Sequence, residues 1–208
     1  MHIHVLVEGP SEKALLDPFL RRFQPAHSHT VHAHQGKGKL PRDLGAPPDP
    51  RQRGLLDQLP AKLRAYGRTL NPEIERVLVL VDADQDDCVQ LKERLVAVRE
   101  RCDPAPVVLF RVAVEETEAF YLGDERAIRS AFGRVRRAPY DGYLQDSVCG
   151  TWEVFQAVIG APYEAKVSWA AAIAPYLSTA TTGRHANRSP SFVHFLHALR
   201  TLAGQPWP

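Results

Sequence analysis

Hydrophobic runs alternate with amphipathic stretches along the first two thirds of the chain. Residues 2–7 (HIHVLV) form a short apolar run bounded by Gly9 and Pro10, which predicts a buried strand. Ser11 is placed to cap a helix carrying Ala14, Leu15, Leu16, Phe19, Leu20 and Phe23 at helical spacing. Residues 29–34 predict a second strand, with His32 and His34 on one face. The stretch 35–50 holds three glycines and four prolines and predicts a loop. A basic amphipathic helix is expected over 51–68.

ERVLVLVDAD contains the clearest strand, five apolar residues from Val77 to Val81 that run into acid. An unbroken apolar run suits a strand covered on both faces, as in a parallel sheet. A helix over 86–101 (Val89, Leu91, Leu95, Val98) leads to a further strand, PVVLFRVAV, and 116–132 is again helical. This alternation predicts an α/β doubly wound fold, a mostly parallel sheet flanked by helices and joined by right-handed crossovers. Residues 140–208 lack a strong strand and read as helices with loops. Among them SPSFVHFLHALRTL has Ser189 as N-cap, Pro190 at the first helical position, and Phe192, Phe195, Leu196 and Leu199 as its buried face. A single domain is expected over 1–208, with its core over about 1–132 and a helical C-terminal extension over about 133–208.

Composition adds exclusions. The 208 residues are 44% hydrophobic and 24% charged, near the globular average, which excludes a disordered or fibrous chain. Three cysteines without a CxxC pair exclude a disulfide scaffold and a cysteine zinc module. No run approaches a membrane span and the first residues do not read as a signal peptide, so no membrane partner and a cytoplasmic location are expected. The net charge of +2 hides an uneven distribution: residues 13–76 carry +6, and residues 82–125 carry −7.

The acidic block meets the predicted strand ends. Ligands of open α/β sheets bind outside the carboxyl ends of the strands. The first strand ends in Glu8, with Glu12 one turn into the next helix. The central strand ends in Asp82 and Asp84, and the last runs into Glu115, Glu116 and Glu118. Each group taken alone is an ordinary turn former or helix-start acid. Together, on neighbouring strands, they would crowd charge that a divalent cation relieves, and carboxylates suit Mg²⁺ or Mn²⁺ rather than zinc.

VLVEGPSE, VLVLVDAD and VAVEETEAFYLGD in that order resemble the TOPRIM catalytic fold. More closely, they resemble the small single-domain TOPRIM-like proteins related to the overcoming-lysogenization-defect (OLD) nucleases. The resemblance spans roughly residues 3–200. It implies a Rossmann-like parallel sheet with metal roles for Glu8, Asp82 and Asp84, for Glu12 as the acid one turn on, and for Glu115 and Glu118 in the later acidic motif. It also matches His34, Gly36 and Lys37 to an H-x-G-K segment. Lys166 and Asn187, Ser189, Ser191 and Phe192 match a C-terminal pattern of Lys followed by Asn-x-Ser-x-Ser-Phe.

The function so implied is phosphodiester hydrolysis of nucleic acid assisted by two Mg²⁺ or Mn²⁺ ions, in anti-phage defence beside a separate ATPase. DNA is favoured over RNA as the partner, and a homodimer is left open. Charge developing on the phosphate needs a cation, with Lys166 the first candidate and Lys37, in its Gly-flanked loop, the second. Arg134, Arg136 and Arg137, and Arg64 on the basic helix with Arg51, Arg53, Lys62 and Arg68 around it, are candidate phosphate contacts. No Walker A and no G-x-G-x-x-G motif is present. The nine histidines match no zinc spacing. Two competing readings are a metal- and nucleic-acid-binding or ATPase-partner module that does not cut, and a phosphoryl-transfer enzyme for small phosphate esters.

Overall fold

Apolar residues on both sides of a strand require cover on both sides, and the sheet supplies it. The computed structural model describes residues 1–161 and 165–205. Its strands are β1 (His2–Val7), β2 (Ser28–Ala33), β3 (Glu75–Asp82) and β4 (Val108–Ala113). All pair in parallel, in the order β2-β1-β3-β4. Alternation along each strand sends successive side chains to opposite layers. Ile3, Val5, Val7, Leu78 and Leu80 join one apolar cluster; Leu6, Val77, Val79 and Val81 join the other.

The first layer is built by α1 (Pro10–Phe23), α4 (Glu118–Leu122), α5 (Glu125–Phe132), α6 (Arg137–Asp141), α7 (Thr151–Ile159), α8 (Lys166–Ile173) and α9 (Pro190–Leu202). The second consists of α2 (Leu55–Thr69) and α3 (Cys88–Glu100). The C-terminal helices are therefore one face of the sandwich rather than an appendage. Each fully buried Leu, Ile or Phe in these layers contributes roughly 1.5–3 kcal/mol of transfer free energy. Ser189 caps α9 through a hydrogen bond from the Phe192 N–H, and Phe192, Phe195, Leu196 and Leu199 are buried, as the sequence predicts.

Local chemistry moves several boundaries. Helix α1 starts at Pro10 with Gly9, not Ser11, as its N-cap, because the Glu12 carboxylate reaches back to the Gly9 N–H. The basic helix begins at Leu55 rather than 51, since Gly54 takes the cap and Asp57 receives its N–H. The expected helix over 116–132 is two: Gly123 ends α4, and Asp124 starts α5 by accepting the Ala127 N–H. Val89, expected in the core, is exposed on α3.

Candidate functional site

The strand order places β1 between β2 and β3. The chain leaves β1 toward β2 and later returns on β1's other side as β3. The carboxyl ends of β1 and β3 therefore form a topological switch point, where an open α/β sheet has its crevice. Glu8 and Asp82 stand on its two sides and touch: the Asp82 N–H donates to Glu8 Oε1 at 2.7 Å.

Two further acids close in from the first helical layer. Glu12, on α1, and Glu118, the first residue of α4, are both buried. Glu12 is held by the Gly9 N–H and the Ser11 hydroxyl, each at 2.8 Å. Thr117, buried and not singled out by the sequence, donates its hydroxyl to Asp82 Oδ1 at 2.7 Å. Its only sequence signal is its place beside the acidic run.

Burial and mutual repulsion act on these groups together. Loss of hydration, with Asp84 and Glu12 nearby, pushes the Glu8 carboxyl up to about 7 against the hydrogen bond from Asp82. Asp82 retains some surface exposure but is ringed by protein atoms. Desolvation first, then Glu8, Glu12 and Glu118, raise its carboxyl well above the ordinary range. Burial carries Glu118 up to about 7 despite Lys166. One oxygen each of Glu8 and Asp82 has no hydrogen-bond partner among the described residues, and the Glu118 carboxylate is met by its own backbone N–H, with Lys166 3.9 Å away. Oxygen donors of this kind, short of compensating charge, fit a hard divalent cation. Among the described residues, no three His, Cys, Asp or Glu side chains converge into a ready-made ligand set.

A lysine stands on either flank. Lys37 Nζ lies 2.9 Å from Asp84 Oδ2, Asp86 Oδ2 and the Ala83 carbonyl. Asp84 has a φ of 50° and an exposed side chain, so the second acid of the D-x-D turns out to Lys37 while the first turns in. On the other flank, Lys166, at the start of α8, sits 3.1 Å from Glu116 and 3.9 Å from Glu118. Carboxylate neighbours keep both lysines charged, raising their pKa against the desolvation that opposes them.

Glu115 is engaged elsewhere. Its carboxylate accepts the N–H groups of Cys149, Gly150 and Thr151 and the Thr151 hydroxyl. It serves the amino end of α7 rather than the acidic crevice, and those donors lower its pKa against the effect of burial. His34, Asn187 and Ser189 hold scaffold. The His34 ring bonds the Val7 carbonyl at 2.7 Å and Lys62 at 2.7 Å, beside the backbone bond from Gly36 to Glu8 that seats the Lys37 loop. Asn187 donates to the Phe120 carbonyl and accepts from the Ser189 N–H, pinning α9 to α4 and hence to Glu118.

The expected phosphate contacts are largely committed within the fold. Arg64 donates to the carbonyls of Leu44 and Ala46, and Arg134 to those of Ile159 and Gly160. Arg137 is paired with Glu125 and Asp141. Arg136 is exposed, and its guanidinium lies so close to Gly160 that a side chain there would strike it. The basic clusters do scaffold work because long cations at loop edges find carbonyls and acids nearby.

A family model described as a domain of unknown function, DUF4276, matches residues 7–200. The chain belongs to the DUF4276 family. No curated protein and no solved structure matches it. In this DUF4276 chain the matched span takes in every acid of the crevice and both flanking lysines. No helix among the described residues is long and apolar enough to cross a membrane.

Proposed function

We propose that this DUF4276 chain hydrolyses phosphodiester bonds of nucleic acid with Mg²⁺ or Mn²⁺, on a sheet of the TOPRIM type. The observation that carries the reading is the like-charged cluster of Glu8, Glu12, Asp82 and Glu118 at the switch point. Desolvation raises Glu8, Asp82 and Glu118 above the ordinary carboxylate range, Glu8 and Glu118 to about 7, and Lys37 and Lys166 flank the cluster.

Glu8 and Asp82 would hold the cations, with Glu118 beside them and Glu12 supplying charge and orientation. Bound divalent ions make a nucleophile of water and steady the leaving oxygen. Thr117 fixes the rotamer of Asp82, leaving its second oxygen for a ligand. Lys166 stays protonated beside Glu116 and is placed to meet negative charge developing on a phosphate. Lys37 offers the same on the exposed flank once Asp84 and Asp86 release it.

A second reading, binding without cutting, is favoured by one observation. Asp84, the outer acid of the D-x-D, is already neutralised by Lys37. Supercoiled plasmid and a folded RNA, incubated with purified protein in Mn²⁺, Mg²⁺ or EDTA, separate the two. The nuclease reading expects metal-dependent nicking that falls about a thousandfold or more in Asp82→Asn, roughly 4 kcal/mol of transition-state stabilisation. Cleavage that persists in EDTA or in the variant overturns it. Metal-dependent binding with no cleavage supports the second reading.

A further inference from the structure

At the other end of α4 from Glu118, a polar cleft of about 190 Å³ opens between Gly123, the start of α5 and residues 184–188. It adjoins a cleft of about 500 Å³ lined by Arg22, Ser178 and Thr179. Arg126, His185 and Arg184 meet there. Arg126 Nη1 lies 2.6 Å from His185 Nδ1, and Arg184 Nε lies 3.0 Å from His185 Nε2. An imidazole offers at most one acceptor nitrogen, whatever its protonation. Two guanidinium donors on its two nitrogens therefore leave at least one N–H facing another N–H.

Among the described residues neither Arg126, Arg184 nor the nearby Arg188 has a carboxylate within 4.0 Å. The local acids are engaged elsewhere. Asp124 accepts the N–H groups of Ala127 and Ser178, and Glu125 is paired with Arg129 and Arg137. Arg188 lies over the Tyr140 ring and donates to its hydroxyl, which leaves its remaining donors toward the cleft. Asp124 and Glu125 also line the cleft, but their bonds go to those other donors, so Arg126, Arg184 and Arg188 bring three guanidiniums there with no ion-pair partner among the described residues. Guanidinium forks match phosphate oxygens in geometry as well as charge.

We propose that Arg126, Arg184 and Arg188 form a phosphate-binding subsite that seats the backbone of a nucleic-acid strand beside the carboxylate crevice. The α4 axis from Glu118 to Leu122 is short, about 6 Å at 1.5 Å per residue, and Arg126 follows as the second residue of α5. Asn187 and the Arg188 backbone, bonded to Phe120 and Gly123, tie the subsite rigidly to that helix. The assignment rests on the nucleic-acid reading of the crevice, but it concerns binding and not cleavage.

The test therefore runs in EDTA with the full chain, by fluorescence anisotropy of labelled single-stranded and duplex DNA and of single-stranded RNA across a salt series. Arg126→Gln/Arg184→Gln should weaken at least one of these complexes about tenfold. It should also flatten the slope of log affinity against log salt by about 1.5–2, the loss of two phosphate contacts. Arg99→Gln/Arg101→Gln, equal in charge and exposed on the opposite layer, should weaken binding no more than about twofold. Matching melting temperatures show that both variants fold. Equal losses in the two variants, an unchanged salt slope, or no binding by the parent chain overturn the subsite, as does binding of inorganic phosphate alone. Because the assay holds no divalent metal and reads no cleavage, the nuclease reading can fail while the subsite stands.

Discussion

Strand β1 carries two clusters of titratable side chains that solve the same electrostatic problem in opposite ways. Near its start, His2 and His4 lie beside His32 of β2. His4 Nδ1 is 3.2 Å from His32 Nε2, and His4 Nε2 is 3.3 Å from Glu75. At its end, Glu8 meets Asp82, Glu12 and Glu118. Burial pushes His32 down to about 4, with His4 and Lys62 adding to the effect, so the ring simply gives up its charge at neutral pH. A carboxylate in the same position must take up a proton or find a cation. Neutral histidines need no counter-charge, whereas ionised acids do, and this separates a pH-sensitive patch from the crevice proposed to hold a cation more sharply than residue type does.

The largest expected effect breaks the comparison from the acidic side. At pH 8, Mg²⁺ or Mn²⁺ at a hundred times its dissociation constant should stabilise the fold by about 2.7 kcal/mol, roughly 5–10 °C in melting temperature. At pH 5, with Glu8 and Glu118 protonated, the shift should largely vanish. A shift that is equal at both pH values, or that survives in Asp82→Asn, would show that the cation binds elsewhere.

Next in size is the stability of the metal-free chain. Glu8 and Glu118 titrate near 7 when folded, against an unfolded value near 4.5. The folded state thus holds more protons across that window, and stability should fall as pH rises through it. Asp82→Asn removes one of the repelling charges. It should raise metal-free stability at pH 8 by about 1–2 kcal/mol and change little at pH 4.5, as read by urea melts.

The histidines predict the opposite slope. His29 and His32 titrate near 4 when folded, against 6.5 unfolded, so their contribution is lost as pH falls from about 6.5 toward 4. Two-dimensional NMR should place both midpoints below 5. His32→Gln should flatten the acid limb of the stability curve while leaving the limb above pH 7 unchanged. The smallest effect expected is that of Zn²⁺ on the patch: a melting shift within about 1 °C in a Glu8→Gln/Asp82→Asn background. A larger shift would make the histidines a second metal centre.

Much of this arrangement is legible in the residues themselves. HIHVLV and VLVLVD announce strands because buried parallel strands leave no polar face to confuse the pattern, and their terminal acids follow from chain order. The direction of each acid is less visible. Glu115, Glu116 and Glu118 look alike in EETEAF, yet Glu115 caps α7, Glu116 pairs with Lys166, and Glu118 enters the crevice. What separates them is the 59° φ at Glu115 and the position of α7, some 35 residues later. The arginines were harder still. Arg134 and Arg137 form a visible cluster but are spent on nearby carbonyls and acids. Arg126 and Arg184, far apart in sequence, meet only because Asn187 docks the 184–188 segment on α4.

The placement of the last helix on the sheet also has a consequence in time. Helix α9 packs on β4 and β3, and Gln24, just after α1, donates to the Leu199 carbonyl. The part of that face over β3 and β4 therefore lacks its α9 cover during synthesis until residue 202 has been made. At 5–20 residues per second that is on the order of 10–40 s after β1 emerges. Over that interval the strand that ends in Asp82 exists without the last helix of its inner cover, although α1 and α4–α8 have already been made. The layer that backs the acidic crevice is consequently completed only when the last helix docks, long after the crevice acids themselves have been made.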